Sequence, residues 1–214
     1  METTKTFKFL FLIFFGMILM NFTCNDCEDE LHDRSNFTVI LNSSQNTISI
    51  GDTLSLNTAL NSLMELEFSG RIHDNSNKAI NYRIEVFEAR ANSNDAFPAR
   101  DNFELIGQVG NVNLPPFRIW EVIIENNCGE DTCELELGII PLKVGYFGIA
   151  LRTGNFGIEN ECEHLSLFPN GIQSNGNNNF EIFEEINISS IRVNKSIFSN
   201  PESEKLLYFF KVIE

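Results

Sequence analysis

The residues able to do chemistry are five cysteines and the carboxylates and histidine around the last of them. Four residues, Gly129-Glu130-Asp131-Thr132, separate Cys128 from Cys133. They read as a hairpin loop between two strands. Such a hairpin can bring two Cα atoms to the roughly 5.5–6 Å that a disulfide needs, so Cys128–Cys133 is the favoured pair. Zinc is the rival use of these thiols. A structural zinc site asks for tight, repeated ligand pairs. His164 follows Cys162 by two residues, and no second close pair of Cys or His accompanies it. The cysteines are therefore read as disulfide formers and no metal is expected.

The other cluster is Glu159-Asn160-Glu161-Cys162-Glu163-His164. It falls in the longest expected loop, residues 155–179, where Ca²⁺ or a ligand is conceivable. The alternation with Gly that an EF-hand requires is missing, so a solvated charge run is the simpler reading. There is no Gly-x-Ser-x-Gly, no phosphate loop and no dinucleotide fingerprint. His32, His73 and His164 sit in polar stretches, with nothing to pair them with a nucleophile. No catalytic residue and no cofactor are expected. Paired carboxylates suited to glycoside hydrolysis can hide among 30 Asp and Glu.

The elements that would position these groups read as strands. Phe37–Leu41 is β-rich. Thr47–Ile50 and Thr53–Leu56 alternate polar and apolar residues about the turn Gly51-Asp52, a strand–turn–strand signal. In Ile80–Phe87, Ile80, Tyr82, Ile84 and Val86 take one face, with Arg83, Glu85 and Phe87 opposite. Phe117–Glu125 and Cys133–Ile140 form the clearest hairpin, with Trp120 as a core plug. Phe180–Ser196 holds a further strand or a short helix, and Leu206–Ile213 a last strand. No sustained helical periodicity occurs after residue 23. Strands at this spacing predict an all-β sandwich or barrel.

Ile50-Gly51-Asp52-Thr53-Leu54-Ser55-Leu56 resembles the start of the second strand of immunoglobulin-like domains. Gly145-Tyr146-Phe147 resembles a late strand of such sandwiches, where a Tyr closes a corner by bonding backbone. The resemblance implies an immunoglobulin-like antiparallel β-sandwich, and Tyr146 in that corner role.

The first residues carry a different message. Lys5 and Lys8 precede Phe9–Met20, an unbroken apolar run of 12 residues. That length suits a signal-peptide core and is short of the roughly 20 residues that span a bilayer. Asn21-Phe22-Thr23-Cys24 follows, then Asn25-Asp26-Cys27-Glu28-Asp29-Glu30. A Cys directly after such a run, trailed by acidic residues, resembles the lipidation site and surface-export tether of Bacteroidetes-type lipoproteins. The resemblance implies a lipid on Cys24 and an exported protein held at the cell envelope, at the outer membrane or cell surface. Lipidation of Cys24 leaves four cysteines, which allow three connectivities. With Cys128–Cys133 favoured, Cys27–Cys162 follows by elimination. The chain divides into a signal peptide (1–23), a lipidated cysteine with an acidic tether (24–35), and one β-sandwich domain (36–214).

Net charge is −15 for the chain and −16 beyond residue 23. Such acidity repels phosphate backbones, so nucleic acid is not an expected partner. The expected function is non-enzymatic: binding or structural, with the membrane reached through the lipid and a protein or glycan as partner. The alternative is an exported carbohydrate-binding protein or hydrolase that uses the 155–179 loop. A third reading, ranked last because Asn-rich chains produce such sites by chance, is a secreted eukaryotic domain with glycosylation sequons at Asn36, Asn42, Asn187 and Asn194.

Overall fold

The computed structural model describes residues 31–42, 46–155, 163–174, 181–198 and 205–214. The expected signal peptide, Cys24, Cys27 and Cys162 lie outside the described residues.

Strands dominate what is described. In chain order they are β1 (Leu31–Asn42), β2 (Thr47–Ser49), β3 (Leu54–Asn61), β4 (Leu63–Glu65), β5 (Ile72–Asp74), β6 (Ala79–Ala89), β7 (Phe97–Pro98), β8 (Phe103–Val109), β9 (Asn111–Asn113), β10 (Glu121–Cys128), β11 (Thr132–Pro141), β12 (Gly145–Asn155) and β13 (Glu163–Ser174). A short helix α1 (Glu181–Glu185) precedes β14 (Ile191–Val193), β15 (Ser196–Phe198) and β16 (Leu207–Ile213). Period-2 alternation explains the long members. Ile80, Tyr82, Ile84 and Val86 of β6 are fully buried on one face, as are Cys133, Leu137 and Ile139 of β11.

Seven strands close a circuit in the order β6–β10–β11–β3–β1–β13–β12 and back to β6. The circuit is narrowest at two seams. Strand β10 meets β11 through Asn127↔Glu134 and Cys128↔Cys133. Strand β12 meets β13 through Gly154↔Leu167 and Asn155↔Ser166. The expected all-β class is what forms. The expected arrangement of antiparallel sheets differs, because the main sheet closes on itself and its β1–β13 and β16–β2 ladders are parallel. Parallel partners need a crossover instead of a hairpin, so no local pattern reveals them.

Four local expectations also change. Strand β1 begins at Leu31, inside the stretch assigned to the tether, and Asp33 and Ser35 are buried there. The strands flanking Gly51 form, but β2 goes to β16 while β3 goes to β1 and β11. The span expected as a 155–179 loop holds the 12-residue β13, whose Leu165, Leu167 and Ile172 reach the core. Residues 117–120 are a turn and β10 starts at Glu121, because Pro115 and Pro116 supply no N–H to a ladder. Trp120 is consequently half-buried, packed on the outside of the circuit instead of plugging its interior.

A second core lies on that outer side. Phe87, Ala150, Leu207 and Phe209 project from the sheet, and Ile182, Ile186, Ile188, Ile191 and Val193 cover them. Each fully buried Ile or Phe contributes about 1.5–3 kcal/mol, which is what holds α1 and the β14–β15 hairpin in place.

Candidate functional site

The most organised surface begins at Asp33. Its side chain is 3 % exposed. Oδ1 accepts from the backbone N–H of Arg34 at 2.8 Å and of Phe68 at 2.9 Å, and Oδ2 from that of Ser69 at 3.0 Å. Burial alone would push its pKa up; the Ser69 hydroxyl and the three N–H groups outweigh this and bring it down to about 2. Asp33 therefore clamps the turn after β4 onto β1.

That clamp sets the next layer. Arg34 donates to Glu67 through Nε (2.6 Å) and Nη2 (2.8 Å), a fork-on-carboxylate pair. Asn36 Nδ2 donates to the same carboxylate at 3.1 Å. Hydrogen bonds from Arg34 and Asn36 hold the Glu67 carboxyl below its usual range. The guanidinium carbon lies 4.9 Å from the Phe68 ring centre and 5.1 Å from that of Phe168, within cation–π range of both. Phe68 is 67 % exposed.

Beside this cluster a cavity of about 590 Å³ opens along β1, between the end of β3 and β4 on one side and Asn170 and Gln173 of β13 on the other. Buried Phe37, Leu60 and Met64 reach it from the core side; Asn36, Asn61 and Glu65 line it as well. Exposed Ile40, Leu63 and Ile72 extend an apolar surface nearby. The size falls in the range of ligand clefts, and the lining joins an apolar floor to a rim of polar and charged side chains.

The cysteines expected to pair do so where described. Cys128 and Cys133 are bonded, with sulfurs 1.99 Å apart and Cα atoms 3.8 Å apart. Cys133 Sγ lies 3.7 Å from the Ser62 hydroxyl. Cys24, Cys27, Cys162 and Glu159–Glu161 lie outside the described residues, so the structure does not place the proposed lipidation site or the second pair. Backbone positions His32 and His164 are partners in the β1–β13 ladder. Among the described residues no three His, Cys, Asp or Glu side chains are grouped to hold a metal ion, and no helix is long and apolar enough to cross a membrane. Tyr146 does not take the corner role. Its hydroxyl donates to Glu185 of α1 at 2.8 Å, which fastens the helix to the sheet.

Paired carboxylates do occur, at Glu85 and Glu121, which face each other across β6 and β10. Both are committed to cations. Glu85 is 3 % exposed; Arg152 binds its Oε2 through Nε (2.9 Å) and Nη2, and Asn194 Nδ2 donates to its Oε1 at 3.0 Å. Arg118 holds Glu121 at 3.1 Å. Arg152 also reaches Ser196 and the Val193 carbonyl. This cluster ties the β14–β15 hairpin to the sheet.

Sequence reasoning missed the Asp33–Arg34–Glu67 cluster. The signal available was Phe68 and Phe168, two phenylalanines set in polar turn-forming strings and on the outward side of the alternation.

No protein-family model and no curated protein matches the chain. Among solved structures, a cohesin module from a family 33 glycoside hydrolase of Clostridium perfringens is 12 % identical, over 63 % of this chain and 98 % of that one, with a TM-score of 0.34. A chain of a type I cohesin–dockerin complex from Clostridium thermocellum is 12 % identical over 62 % and 99 %, with a TM-score of 0.25.

Proposed function

We propose that this chain is an exported protein, anchored at the cell envelope by a lipid on Cys24, whose β domain is a non-enzymatic binding module with the cavity beside β1 as its binding face. The observation that carries the binding reading is Arg34, held between two phenyl rings at the rim of a cleft of about 590 Å³. Exposed aromatic and guanidinium groups of this kind are what interfaces are built around. The domain is read as an immunoglobulin-like sandwich whose edges have zipped together, since the two narrow seams divide the seven strands into β11–β3–β1–β13 and β12–β6–β10.

Two measurements test the parts separately. Metabolic labelling with an alkyne fatty acid should mark the wild type and spare Cys24→Ala; equal labelling of both removes the anchor. A photo-crosslinking residue placed at Leu63 in the intact envelope should give a discrete adduct that the same residue at Glu104, on β8, does not. Indistinguishable adducts from the two positions would remove the binding face.

A further inference from the structure

The cavity is a gap in the sheet. Strand β1 pairs with β3 only at Ile40–Asn42, opposite Ser55–Asn57. Continuing that register would set Thr38 against Ala59 and Asn36 against Asn61. Instead the strands part, and the far end of the gap is closed by the turn after β4, where the Glu67 N–H donates to the Arg34 carbonyl at 2.7 Å. That bond fixes which way β1 points. In a strand, alternate residues direct both backbone groups to the same side, so Asn36 and Thr38 face the gap, as Arg34 and Ile40 do at its ends. Their odd-numbered neighbours serve the parallel ladder to β13. On the far bank, Ala59 and Asn61 face the gap by the same alternation from Asn57. The result is two unpaired strand edges facing one another across a cleft with an apolar floor, and an unpaired edge is a template for another strand.

We propose that this gap receives a short extended segment of a partner protein, carrying lysine or arginine, as an added strand between β1 and β3. The proposal rests on the binding-face reading above. Backbone groups of Asn36, Thr38, Ala59 and Asn61 supply main-chain hydrogen bonds, and side chains of one parity enter the floor formed by Phe37, Leu60 and Met64. The ends at Ile40↔Asn57 and Arg34–Glu67 limit the inserted stretch to the span of Ser35–Val39, roughly 17 Å at 3.3 Å per residue. Exposed Glu65 on the rim and the chain's charge of −15 select a cationic segment.

Amide hydrogen exchange on the full-length chain tests this, with an acetylated octapeptide of alternating lysine and valine as the probe. In the free protein the Asn36 and Thr38 amides should exchange faster than those of Phe37 and Val39. Saturating peptide should slow Asn36 and Thr38 by about tenfold or more. The same peptide N-methylated at alternate residues should not, and Glu65→Lys should weaken the effect without altering exchange in the free chain. Protection of Asn36 and Thr38 already equal to that of Val39 overturns the proposal. Equal action by the N-methylated peptide does the same. A response to chitohexaose in place of the peptide reassigns the cleft to glycans, and protection that rises with protein concentration alone reassigns it to a second copy. If Leu63 crosslinks specifically while the peptide has no effect, the binding face stands and strand addition falls.

Discussion

The ring of Phe87 covers Gly148 so closely that a β-carbon at that glycine would stand 2.7 and 2.9 Å from two ring carbons. The two residues are direct partners across β6 and β12. Phe87 uses the vacated space to reach Phe209, with ring centres 5.5 Å apart in an edge-to-face pair. Gly148→Ala should therefore destabilise the fold by about 1–3 kcal/mol, the usual range for overpacking. In a Phe87→Leu background the same change should cost less. Urea unfolding of the two single variants and the double variant measures the coupling; strictly additive losses would contradict it.

The Arg152–Glu85 pair supports a second prediction. Arg152→Met leaves a carboxylate that is 3 % exposed without its main partner. Breaking such a pair from one side costs about 3–5 kcal/mol. Replacing both, as Arg152→Met with Glu85→Leu, should recover most of that loss. Thermal unfolding at several salt concentrations is the measurement, and the single-variant loss should change little with salt because the pair is shielded from it.

Asp33 gives a pH dependence with a definite sign. Its folded pKa, about 2, lies below the ordinary value of 3.8. Its contribution to stability is thus complete above pH 4 and is lost as pH falls from there toward 2. Asp33→Asn should lower stability at pH 7 and flatten the stability profile between pH 4 and 2. Chemical unfolding at fixed pH across that window gives both curves, and parallel curves would exclude the role.

The Cys128–Cys133 bond closes a small loop, so its effect on the unfolded chain is modest. For a sequence separation of 5, loop-closure entropy gives about 2 kcal/mol. The paired change Cys128→Ser with Cys133→Ser should cost that amount in unfolding free energy. It should also raise amide exchange at the β10–β11 seam before exchange rises elsewhere.

What was legible in the sequence was whatever depends on neighbours along the chain. The alternation of Ile80, Tyr82, Ile84 and Val86, the turn joining Cys128 to Cys133 and the last strand at Leu207–Ile213 all follow from local pattern; the expected Phe117–Glu125 arm does not, since its strand residues pair with β6 and not with Cys133–Ile140. What depends on distant partners was not. Strand β13 reads as loop because Pro169, Asn170 and Gly171 interrupt it, beside the register shift opposite Phe37 and Thr38; its pairing with β1 supplies the order that propensity lacks. Glu85 reads as a surface carboxylate on the outer face of β6 until the segment around β14 and β15 covers it. The candidate site was least legible of all. Asp33 and Arg34 fall in a polar stretch that suits a hydrated spacer, and only contact with Glu67–Ser69 gives them a role.

The β1–β13 ladder is parallel and runs through eleven residue pairs, from Leu31 to Leu41. A pull on Leu31 along the strand axis would load those pairs in shear, together, instead of peeling them one at a time. Strand β1 also carries the Asp33 clamp and one bank of the cleft. Tension transmitted from the amino-terminal side would be taken up by the same strand that forms the proposed binding edge, so mechanical load and occupancy of the cleft would influence one another.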